Sequence, residues 1–140
     1  MEIKVKRIHP SAKLPSYGHA GDAGLDLFAS ENYILIPGAV RAVQTGIKVA
    51  IPRGYVGLIW DKSGISLRSV HRMAGVVDAG YRGEVQVVMI NLGAAPFEIK
   101  AGMKIAQMLI QPVNEVQVVE ADELDDTSRG EGGFGSTGLY

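Results

Sequence analysis

Five short segments of this 140-residue chain combine carboxylates, cations, hydroxyls and glycines in ways that suit phosphate chemistry. Ala20–Leu27 places Asp22 and Asp26 around a glycine turn that leads into an apolar run; either acid also serves as an ordinary turn cap. Asp61-Lys62-Ser63-Gly64 follows an apolar strand; a serine with a free backbone N–H and a neighbouring cation suits a phosphate oxygen. Gly75–Glu84 contains Asp78-Ala79-Gly80, a tight reversal, with Tyr81 and Arg82 bringing an aromatic face and a cation to the same corner. Lys104–Met108 sets the polar Gln107 inside an apolar strand. The stretch Arg129–Gly138 is half glycine and includes Phe134, Ser136 and Thr137. Successive backbone N–H groups freed by glycine make an anion-binding concavity, and a phenylalanine among glycines favours a partner over solvent. It is not a Walker A loop, because no lysine precedes the Ser-Thr pair.

The elements that must hold these segments read as β-structure. Runs of β-branched and apolar residues broken by Gly and Pro place strands over Ile3–Ile8, Tyr33–Ile36, Val40–Ile51, Tyr55–Trp60, Glu84–Asn91, Phe97–Ile99, Ile105–Gln111 and Val116–Val119, with another beginning at Asp26. The loose alternation of Val85, Val87, Met89 and Leu92 suggests a strand buried on both faces. Ser66–Met73 is the only stretch that suits a short helix. Many short strands at regular spacing argue for an all-β, jelly-roll-like barrel or sandwich. The acidic stretch Glu120–Asp126, five acids in seven residues, reads as solvated. The expectation is one all-β domain over residues 1–128 and a glycine-rich C-terminal arm over 129–140.

Composition excludes several classes. Apolar residues make up 46% and charged residues 21%, as in a globular protein. A formal net charge of -1 gives no basic surface for long nucleic acid. With no cysteine, thiolate metal sites, disulfides and cysteine nucleophiles are absent. His9, His19 and His71 lack metal-ligand spacing. No apolar run reaches the length of a membrane span and no signal core opens the chain, so the expectation is a cytoplasmic protein with no membrane partner.

In order and in content, the five segments resemble the five motifs of the trimeric dUTPase family across residues 20–138. GVVDAGYRGE and RGEGGFGSTG are the most specific of them. The resemblance implies a dUTPase-like β-clip subunit, a homotrimer with active sites shared between chains, and a flexible arm. It implies hydrolysis of dUTP to dUMP and pyrophosphate by in-line attack of water on the α-phosphorus, with Mg²⁺ as cofactor. That activity limits uracil incorporation into DNA and supplies dUMP for thymidylate synthesis. By position, Asp78 resembles the general base, and Tyr81 the residue that packs on deoxyribose and rejects a 2′-hydroxyl. Gly75, Val76 and Val77 resemble the backbone that reads uracil. Lys62, Ser63, Gly64 and Gln107 resemble phosphate contacts. Asp26 resembles the acid that meets the metal through water. In the arm, Phe134 resembles the residue that stacks on uracil, while Arg129, Gly135, Ser136 and Thr137 resemble the group that closes on the phosphates. Lys62 stands where the family most often has arginine, and Arg72 falls near a position that often carries an amide. The same scaffold also serves dCTP deaminases, bifunctional deaminase–diphosphatases and silent nucleotide-binding regulators; the complete arm, Asp78 and Tyr81 favour the hydrolase.

Overall fold

Glycine and proline cut the chain into strands that pair only antiparallel. The computed structural model describes Met1–Tyr140, with strands β1 (Lys4–Arg7), β2 (Leu25–Phe28), β3 (Tyr33–Leu35), β4 (Val40–Ala50) and β5 (Tyr55–Trp60), one helical turn α1 (Ser63–Ser66), then β6 (Val70–Met73), β7 (Val76–Val77), β8 (Glu84–Asn91), β9 (Phe97–Ile99) and β10 (Lys104–Pro112). One sheet runs β1-β4-β8-β6, a second β2-β10-β5-β7, and β3 pairs with β9 alone. Crossovers between the sheets make an all-β, jelly-roll-like sandwich. Val43, Val49, Val85, Val87 and Met89 from the first sheet share one core with Leu27, Ile59, Ile105 and Met108 from the second. All nine are at most 5% exposed, and each fully buried side chain of this size contributes about 1.5–3 kcal/mol.

Three expectations need correction. Ser66–Met73 is not a helix. The helical turn comes earlier, and Ser69 takes a left-handed φ of 59° that ends it. The chain then enters β6, where Val70 is fully buried and pairs with Asn91. Val116–Val119 is not a strand either. Val116, Val118 and Val119 are 74–90% exposed, and no backbone in the chain offers them a ladder. Lastly, β8 is fully buried on one face only: Val85, Val87, Met89 and Asn91 point inward, their neighbours are partly covered or exposed, and Leu92 is 66% exposed.

Candidate active site

Asp78 occupies a corner built by its neighbours. Gly57 pairs with Val77 and Leu58 with Val76, so β7 lies along β5 and delivers Asp78 exposed at its end. Gly75 opens this hairpin with φ of 140°, and its carbonyl accepts the Ile59 N–H at 2.8 Å. A Cβ at Gly75 would press on the Ile59 backbone oxygen at 2.8 Å, so only glycine permits the approach. The turn closes when the Tyr81 N–H donates to the Asp78 carbonyl at 3.0 Å. The Tyr81 hydroxyl donates to the Glu84 carbonyl at 2.9 Å, which fixes the ring beside Gly83. Gly75, Val76, Val77, Asp78 and Tyr81 thereby line one pocket of about 220 Å³, together with Ile59, Glu84 and Gln86. Arg82 is not among its walls. Its guanidinium donates to the Ala79 and Tyr81 carbonyls at 2.7 and 2.8 Å, and so braces the turn.

Lys62, Ser63, Gly64 and Gln107 meet in a second pocket of about 470 Å³, with Asp22 and Ala23 at its rim. Register explains the meeting: Gln107 lies opposite Trp60 on one side and Asp26 on the other. The Gln107 amide donates to the Asp61 carbonyl at 2.8 Å. Its side chain lies across Gly24, where a Cβ would overlap the amide. Asp26 is 3% exposed, yet it is well compensated. Lys62 Nζ donates to its Oδ1 at 2.5 Å and Lys104 Nζ sits 2.7 Å from Oδ2. Burial alone would raise the Asp26 pKa; the hydrogen bonds and charges of Lys104 and Lys62 outweigh it and hold the carboxyl below its ordinary 3.8.

Sequence reasoning missed two contributors here. Lys104 reaches Asp26 because β10 carries a register shift between Lys104 and Ala106, which strand alternation does not reveal. Asp61 ties the turn before Lys62 to β6. Its carboxylate accepts the Arg72 N–H at 2.8 Å and lies 2.6 Å from His71 Nδ1. Arg72 stacks on Trp60 at 4.8 Å and donates to the carbonyl of Ala74, a residue of the hairpin pocket's wall, while Arg72 itself lines neither pocket.

The two pockets do not merge within one chain. Asp78 lies one step beyond the Gly57–Val77 pair, toward the start of β5, whereas Lys62 follows its end. At about 3.3 Å per residue, the two are separated by roughly 20 Å along the strand. The arm stands apart from both pockets. Arg129 Nε donates to the Gly132 carbonyl at 2.9 Å, and single turns follow at Gly133–Ser136 and Gly135–Gly138. Phe134 is fully exposed with a left-handed φ of 48°. Arg129, Phe134, Gly135, Ser136 and Thr137 line neither pocket.

No group of three or more potential metal ligands gathers in the chain, and both Asp26 oxygens face ammonium groups. Mg²⁺ demands octahedral oxygen ligands and keeps its waters. The donor set fits such an ion only when phosphate oxygens supply most of its ligands and Asp26 meets it through water.

Comparison with known proteins identifies the family and the fold. The dUTPase family model matches residues 10–138. The deoxyuridine 5'-triphosphate nucleotidohydrolase of Alkaliphilus metalliredigens is 49% identical over 140 residues, covering 98% of this chain and 97% of its own. That of Clostridium kluyveri is 50% identical and covers 99% of both. Among solved structures, a variant dUTPase of Staphylococcus bacteriophage 80alpha bound to dUpNHpp superposes with a TM-score of 0.94 at 28% identity, over 99% of each chain. A mutant dUTPase of phage phi11 of S. aureus, described for its coordination of a structural Mg(II) ion, gives a TM-score of 0.83 at 27% identity, covering 88% of this chain and 98% of its own.

Proposed function

The chain belongs to the dUTPase family, and from that premise we propose that it hydrolyses dUTP to dUMP and pyrophosphate. The observation that carries this reading is the hairpin pocket, where a glycine-opened backbone, an aromatic ring and an exposed carboxylate share one wall. Uracil sits against the backbone of Gly75, Val76 and Val77, and deoxyribose packs on Tyr81. A snug ring contact leaves a 2′-hydroxyl without room. Asp78 takes the proton of a water that attacks the α-phosphorus; the bond to the bridging oxygen breaks and pyrophosphate leaves. A positioned base of this kind contributes about 10²–10⁴-fold.

Lys62, Ser63, Gly64 and Gln107 grip the phosphates. Asp26 would be the residue that approaches a Mg²⁺ ion accompanying the triphosphate, and such an ion would supply charge neutralisation there. A base must come within about 3 Å of the water it activates, and one chain keeps Asp78 far from its own phosphate pocket. A site assembled from several copies resolves the conflict, with the hairpin of one chain facing the phosphate pocket of another. A homotrimer accounts for it, as it does for the exposed Val116, Val118 and Val119 and for Phe134, all of which have no partner in their own chain. On this reading Arg129, Gly135, Ser136 and Thr137 close over the phosphates while Phe134 stacks on uracil, a contact worth about 1–3 kcal/mol.

The deaminase reading is not favoured, since the named relatives are nucleotidohydrolases across their whole length. The test is a nucleotide panel with Mg²⁺. Pyrophosphate should appear from dUTP far faster than from dCTP, dTTP or UTP. Ammonia released from dCTP would overturn the proposal.

A further inference from the structure

Lys62 is the only cation among the residues lining the phosphate-side pocket. Its ammonium is nevertheless engaged, 2.5 Å from Asp26 Oδ1. Its ammonium has two further N–H donors, but to give its charge undivided to a phosphate it must turn from a carboxylate whose side chain is only 4% exposed. Abandoning a buried charge is costly, because nothing then compensates it. The second lysine removes this obstacle. Lys104 lies outside the pocket lining, 49% exposed, and holds the other oxygen of the same carboxylate at 2.7 Å. Two ammonium groups on one carboxylate leave one positive charge in excess, and the excess is available to an anion. Lysine suits such an exchange of partners, being a point charge on a flexible stem, whereas arginine's planar fork favours a fixed bidentate pair.

We propose that Lys104 is a positioning residue for the triphosphate: by keeping Asp26 compensated, it frees Lys62 to swing from Asp26 to a phosphate oxygen. The inference rests on the reading of this site as one for dUTP. It predicts that loss of Lys104 locks Lys62 onto Asp26, weakening the grip on the outer phosphates and sparing the base and sugar.

The experiment is a calorimetric titration in EDTA, which removes any contribution of metal at Asp26, using dUpNHpp and dUMP as ligands. Lys104→Met should bind dUpNHpp roughly tenfold more weakly, the size of one charge-assisted hydrogen bond. Its dUMP affinity should stay close to that of the unaltered protein, because dUMP lacks the outer phosphates. Lys104→Arg should restore the affinity for dUpNHpp. The double variant Asp26→Asn with Lys104→Met should also recover it, since a neutral side chain no longer detains Lys62. Should Lys104→Met fail to fold, Lys104→Gln gives the same reading.

Unchanged dUpNHpp binding in the Lys104 variants would overturn the inference. So would an equal loss for both ligands, which indicates a general structural role. Failure of the double variant to recover would also overturn it, by indicating that Lys104 itself touches phosphate. If the unaltered protein bound neither ligand, the dUTP reading would fall and this inference with it.

Discussion

Asp78 stands exposed at the end of a two-residue strand, and no hydrogen bond from its side chain ties it to its surroundings. A carboxylate so placed contributes little to stability and is free to meet a water. Asp78→Asn should therefore lower kcat by about 10²–10⁴-fold while dUTP still binds and the melting temperature barely moves; retained turnover would remove Asp78 from the base role. Asp26 is the opposite case, buried and bound by Lys104 and Lys62. Its folded pKa is lowered: burial pushes it up, but the two lysines pull it down further. A depressed carboxylate stabilises the fold above its unfolded pKa and loses that contribution as pH falls through the folded value. Asp26 should thus add stability above about pH 4 that disappears on further acidification. Thermal melts across that range should show a steep acid loss in the unaltered protein and a flatter profile, from a lower start, in Asp26→Asn. Parallel profiles would mean that the lysine pair is not what sets acid stability.

At the scale of elements, the hairpin before Asp78 depends on one backbone position. Gly75 holds φ of 140° against the Ile59 carbonyl. Gly75→Ala adds a Cβ where there is neither conformational freedom nor space, costing about 1–3 kcal/mol. Because Gly75 opens the pocket proposed to take the base, the variant should also bind dUMP more weakly; an undisturbed dUMP affinity would separate this backbone from base recognition. Strands β5, β8 and β9 were legible in the sequence because β-branched and apolar runs between turn residues fill a core directly. Strand β6 was not, since Ser66–Met73 carries a helical spacing that the left-handed turn at Ser69 and the burial of Val70 override. The site divides the same way. Asp78, Tyr81, Lys62 and Gln107 were weak signals singly and were picked out because their segments resemble, in order, the motifs of the family. Lys104 and Asp61 were not, because a bulge and a contact between strands distant in sequence bring them in.

In the whole molecule Asp78 and the Lys62 pocket lie at opposite ends of β5, so on the proposed reading the site is completed between copies. The glycine arm likewise reaches neither pocket. Removing residues 129–140 should leave the melting temperature unchanged, since these residues bury nothing in the body, yet lower kcat/KM sharply; unchanged kinetics would make the arm idle. Sharing between copies has a sharper consequence. Take one variant without the base, Asp78→Asn, and one without the phosphate grip, Lys62→Ala with Ser63→Ala. Each homo-oligomer has only defective sites. If each site pairs the hairpin of one copy with the phosphate pocket of its neighbour around a closed ring, equal mixing by unfolding and reassembly should give intact pairs at about a quarter of the sites. Activity should then rise from near zero toward that fraction of the unaltered rate, following the statistics of the mixing ratio. If a single chain supplied both halves, no mixture would exceed the activity of its parents, and the shared-site arrangement would be discarded.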